Sequence, residues 1–74
     1  MKNKPIEWLK TIRISRNLST YKVAKLAHIS QSNYSMIENG KRGVSIKAAK
    51  KIAGALGFEW TKFYDTTIEN DHPA

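Results

Sequence analysis

The stretch Ser30 to Arg42 reads Ser-Gln-Ser-Asn-Tyr-Ser-Met-Ile-Glu-Asn-Gly-Lys-Arg and marks both ends of one short helix. The Ser30 hydroxyl suits an N-cap, because it accepts from a backbone N–H that the first helical turn leaves free. Gly40 suits the stop, because glycine enters the left-handed conformation without a Cβ clash. Between them the outward positions Gln31, Ser32, Asn33 and Ser35 are short, polar and uncharged. A solvated helix ordinarily carries Glu and Lys there. Short amides and hydroxyls suit a surface that reads donors and acceptors at close range. Lys41 and Arg42 follow the helix end at once.

A chain of 74 residues is one domain with one small core. Domains this short bury only ~60 % of their unfolded surface, which leaves no material for a deep enzyme cleft. There is no cysteine, so neither a disulfide framework nor a thiolate metal site is expected, in keeping with a reducing cytoplasm. Met1 to Lys4 resembles the start of a signal peptide, but no apolar run follows, so secretion is not expected. The longest apolar run, Ile52 to Phe58, contains two glycines and is far too short to span a bilayer.

The net charge of +7 is unevenly spread. Residues 1–57 hold twelve Lys and Arg against Glu7 and Glu38, whereas residues 58–74 hold Lys62 against four acids. The basic part contains the special helix. A polyanionic partner is implied, and nucleic acid is the first candidate. Charge alone leaves a merely soluble lysine-rich face equally open.

The rest of the chain reads as helices. Asn3 to Arg16 is expected to form the first, with Pro5 in its first turn, where a missing N–H costs nothing. Ile6, Leu9 and Ile12 share its inner stripe, and Trp8 and Ile14 fall off it. Ser19 caps a second helix ending at Ala27, with Val23, Ala24, Leu26 and Ala27 inward. His28-Ile29 separates it from the Ser30 helix, and two short helices joined so tightly form a helix-turn-helix. Ser45 caps a fourth helix, whose face is Ile46, Ala49, Ile52, Ala53 and Leu56 and whose stop is Gly57. Phe58, Trp60, Phe63 and Tyr64 suggest a fifth. Residues 1–65 are taken as the domain, and 66–74 as a polar tail expected to fray.

At this point the chain resembles the lambda-repressor-like (Cro/cI-type, XRE) helix-turn-helix family of bacterial and phage DNA-binding proteins. The resemblance rests on Leu18-Ser19, on Ala24, Leu26 and Ala27, on Ile29-Ser30, on Ser35 with Ile37 to Arg42, and on Ile52 to Gly57. It runs from about Leu9 to Tyr64. It implies an all-α, five-helix bundle, with Thr20–Ala27 as the positioning helix and Ser30–Asn39 as the recognition helix. In such proteins the recognition helix enters the major groove. By resemblance, Gln31 and Ser32 lead base readout, Asn33 and Ser35 lie nearby, and Met36 reaches a thymine methyl. Thr20, Asn39, Lys41 and Arg42 would hold phosphates. Arg13 and Glu38, charged residues on core-facing positions, would form a structural pair.

Four positions depart from the family pattern. Thr20 stands where Gln is frequent. His28 stands where Gly is usual, at a turn that takes positive φ. Tyr34 replaces an aliphatic residue, and its ring is expected inward with the hydroxyl at the edge. Glu59 replaces a capping Ser or Asp.

Other features take plainer readings. Asn17-Leu18-Ser19 and Asn33-Tyr34-Ser35 match a glycosylation sequon by chance. Trp60, Phe63 and Tyr64 read as core, and Lys47, Lys50 and Lys51 as a solvated face. His28 and His72 are the two histidines and do not make a metal site. No catalytic constellation, cofactor or small-molecule site is expected. The reading is a cytoplasmic, sequence-specific regulator that recognises a double-stranded DNA operator, most simply as a repressor, and pairs as a homodimer at least on DNA. The alternative is a protein-interaction module, such as an antitoxin or an antirepressor partner, on the same fold.

Overall fold

The computed structural model describes residues 5–64. The expectations for Asn3, for Asp65, for the tail 66–74 and for His72 fall outside them. Four α-helices are present: α1 (Glu7–Ser15), α2 (Thr20–Ala27), α3 (Gln31–Glu38) and α4 (Ile46–Leu56). The last element, Trp60–Tyr64, is a 3₁₀ helix, so the expected fifth α-helix is not formed. Its start has no side-chain cap. The Lys62 N–H instead closes a tight turn onto the Glu59 carbonyl at 3.0 Å. No strand occurs among the described residues, and none of their helices is long and apolar enough to cross a membrane.

Three serines start three helices in the same way. Ser19, Ser30 and Ser45 accept from Lys22 N–H, Asn33 N–H and Ala48 N–H at 3.0, 3.0 and 3.1 Å. α1 begins later than expected, for a tertiary reason. The Ile6 N–H donates to the Glu38 carbonyl at 2.8 Å, which holds Ile6 extended and delays the helix to Glu7.

The helix ends follow the left-handed chemistry. Gly40 and Gly57 have φ of 76° and 81°. His28 takes the same region without being glycine, at φ 60° and ψ 43°. Beyond it the Ile29 N–H returns to the Ala24 carbonyl at 3.0 Å and closes α2. Asn17 is also left-handed, at φ 59°.

α2 packs on both α3 and α4, α4 carries the 3₁₀ segment, and α1 lies against α3. Leu9, Val23, Tyr34, Ile37, Ile52 and Leu56 fill the centre. Trp8 is half-buried, against Phe58 and Phe63 at centroid distances of 5.3 and 5.2 Å, whereas Ile14 is 54 % exposed. Three residues expected inside lie outside. Leu26 is exposed because it falls roughly 100° around α2 from the centre of the stripe Val23, Ala24 and Ala27. Tyr64 is also exposed, and its hydroxyl donates to the Val44 carbonyl at 2.7 Å, which ties the 3₁₀ segment to the loop before α4. Ile46, expected on the inner face of α4, is exposed at that helix's first position.

Candidate nucleic-acid interface

α3 is fixed from its inner side. The Arg13 Nε–H donates to Glu38 Oε2 at 2.9 Å, and Arg13 also donates through Nη1 to the Leu18 carbonyl at 2.9 Å. Both side chains of the pair are largely hidden from water. Glu38 therefore holds α1 twice, through its carbonyl at Ile6 and its carboxylate at Arg13. The hydrogen bond to Glu38 raises the Arg13 pKa above its ordinary value. The Tyr34 hydroxyl is buried, not at the edge as expected, and it donates to the same Oε2 at 3.3 Å. Burial first, then the Glu38 charge, push the phenol well above its ordinary pKa. Two donors thus converge on one carboxylate oxygen, which satisfies the charge that folding removes from water.

The outer side carries the polar residues. Gln31 and Ser32 are exposed at the start of α3, Asn33 and Ser35 are half-buried, and Met36 is exposed. The Gln31 Nε2–H donates to Thr20 Oγ1 at 3.0 Å, which links the first residues of α3 and α2. That bond leaves Gln31 one N–H and its amide oxygen, the pair of groups that an adenine edge accepts bidentately. It also leaves the Thr20 hydroxyl proton for another acceptor. Asn39 Nδ2 approaches Ser35 Oγ at 3.4 Å, and Asn39, Lys41 and Arg42 are all exposed at the far end. The Asn33 Oδ1 is hidden from solvent with no partner.

One helix therefore presents Gln31, Ser32 and Met36 on its open side, with Thr20 at one end and Asn39, Lys41 and Arg42 at the other. Sequence reasoning missed three contacts around this frame. Arg16 Nε–H donates to the Leu56 carbonyl at 2.7 Å, so α1 caps the end of α4. Tyr21, 56 % exposed, sits beside Thr20 with the Lys25 ammonium 5.9 Å from its ring centre. The Lys50 ammonium lies 5.0 Å over Trp60, so this lysine is not simply solvated. The Tyr21–Lys25 spacing of four residues on one helix was a readable signal. The other two partners are far apart in sequence, and nothing local announces them.

A helix-turn-helix with an open polar face on its second helix defines a DNA-binding module. Residues 9–63 match the helix-turn-helix family, and the chain belongs to that family, in its lambda-repressor-like branch of DNA-binding transcriptional regulators. It is 44 % identical over 67 residues to the HTH-type transcriptional regulator YqaF of Bacillus subtilis, covering 89 % of this chain and 88 % of that one. It is 42 % identical over 52 residues to a Mycobacterium tuberculosis protein assigned as the antitoxin HigA2, covering 69 % of this chain and 52 % of the relative. Among solved structures it is similar to the restriction-modification controller protein C.AhdI of Aeromonas hydrophila. That likeness has a TM-score of 0.70 and 31 % identity, and spans 74 % of this chain and 83 % of the other.

Proposed function

We propose that this DNA-binding regulator is a repressor that places α3 in the major groove of an operator and blocks a promoter by occupying it. The single observation that carries the reading is the Gln31–Thr20 hydrogen bond on the open face of a capped α3. It sets a base-reading amide in one orientation at the helix end that family members bring to base edges. Gln31 and Ser32 lead the readout, with Asn33, Ser35 and Met36 beside them. Thr20, Asn39, Lys41 and Arg42 hold phosphates, supplying affinity and register but little sequence information. The protein acts in the cytoplasm and pairs on DNA, with half-sites one helical turn apart, ~34 Å. Selection of bound sites from random double-stranded DNA tests this reading. It expects one recovered sequence with two-fold symmetry, and recovery of unrelated sequences would refute it.

A second reading has its own support, the likeness to the antitoxin and the bare Ile14 on α1. There the fold captures a protein. Salt-insensitive capture of a protein partner with only weak DNA binding would favour this reading. Tight, salt-sensitive binding to one site favours the repressor.

A further inference from the structure

Asn33 is the one residue among those described whose buried side-chain polar atom lacks a partner. A buried acceptor left unpaired costs the folded protein its lost hydration. Native structures hold few such atoms, and each asks for a reason. Here the atom lies in the third residue of the helix assigned to reading DNA. At 100° per residue Asn33 lies roughly 200° around α3 from Gln31 and roughly 60° from Met36. The two amides therefore flank opposite edges of the open face, and Asn33 shares its edge with Met36. Their settings differ as well. Gln31 is held by Thr20, whereas Asn33 Oδ1 is held by nothing and its residue is only half-buried.

We infer that Asn33 is a specificity-determining residue that turns its amide out of the protein on specific DNA and, with Met36, reads one A·T base pair. The inference rests on the assignment of α3 as the reading helix. An asparagine amide matches the N7 acceptor and N6 donor of adenine, and the thioether stem matches the methyl group of a thymine. Turning outward gives Oδ1 the partner it lacks in the free protein, so the operator relieves a cost that the free fold carries. The same residue thus lowers stability and raises selectivity.

The test compares the full chain with Asn33→Val, which leaves no polar atom to hide and belongs to the same class of helix propensity. Two readouts are taken: thermal melting of the free protein, and the base-preference profile on a library built around the wild-type selected site. The inference expects Tm to rise by about 4 °C, the scale on which a domain of this size reports one lost penalty. It expects preference for A·T at one position to fall ~10-fold, while binding to random DNA stays within about twofold. Asn33→Ala must show the same loss of preference. In the wild type, the Asn33 side-chain amide resonance should shift on the selected site and stay in place on random DNA. A Tm at or below wild type, or an unchanged preference profile, overturns the inference. Its failure is separable from failure of the underlying reading. If the wild type selects a site and Gln31→Ala alters it at another position, only the role of Asn33 is refuted. If the wild type selects no site, both fall.

Discussion

Tyr34 and Glu38 on one side of α3 and Gln31 and Ser32 on the other belong to the same eight-residue helix, yet they are constrained in opposite ways. The inner pair is buried, and Glu38 alone receives Arg13, Tyr34 and the Ile6 backbone. The outer pair is exposed, and its one side-chain tie is the bond from Gln31 to Thr20. The inner side decides where the helix sits. Under the proposed function, the outer side decides what it meets there. A change inside should therefore damage stability and binding together, whereas a change at the exposed Gln31 or Ser32 should alter selectivity in a protein that melts as before.

The largest effect is expected at Arg13. Arg13→Met removes the cation and leaves the Glu38 carboxylate buried with only the longer Tyr34 bond. Losing one partner of a buried pair costs ~3–5 kcal/mol, a large share of the stability of any small domain. Urea denaturation reads it directly, and a midpoint within error of wild type would show that the pair does not fix α3.

Tyr34→Phe sharpens the same side. At neutral pH the lost bond should cost ~1.5 kcal/mol. The phenol is raised in the folded state, so its stabilising contribution is intact below the ordinary tyrosine pKa of ~10 and declines as the pH climbs above it. In that window the unfolded chain gives up the proton while the folded chain keeps it. Denaturation at pH 9 and pH 11 should show a smaller alkaline loss in Tyr34→Phe than in wild type.

The turn between α2 and α3 tests whether the outer face tolerates changes in its support. His28→Gly should stabilise by ~1 kcal/mol, because a non-glycine residue in the left-handed region carries a steric cost that glycine lacks. DNA binding should not weaken, and a clearly lower melting temperature would contradict the strain. Gly54→Ala is the smallest test. Gly54 is exposed within α4, and a Cβ there meets nothing within 4 Å. A gain of ~0.5–1 kcal/mol in thermal melting, with no change in DNA selectivity, is expected.

What could be read from the sequence followed locality. Ser19, Ser30 and Ser45 announce three helix starts, and Gly40 and Gly57 two stops, because a cap depends on atoms within a few residues. The start of α1 was not legible, since it is set by the Glu38 carbonyl 32 positions from Ile6. The closing segment read as a fifth helix from its aromatic spacing, but it forms a 3₁₀ turn, held by the Phe63 ring against Trp8 of α1 and by the Tyr64 hydroxyl's bond to the Val44 carbonyl. At the candidate interface the polar composition of α3 stood out at once. The bond between Gln31 and Thr20, the depth of the Tyr34 hydroxyl and the unpaired Asn33 oxygen did not, because each depends on how α2, α3 and α1 meet.

The separation of the two sides is tested most directly at Gln31. Gln31→Ala should melt like wild type, lose ~1–3 kcal/mol of binding free energy on the selected site, and relax the preference at one base position. Its affinity for random DNA should hardly move. Equal losses on selected and random DNA would contradict the account, because Gln31 would then be holding the DNA backbone and not reading a base.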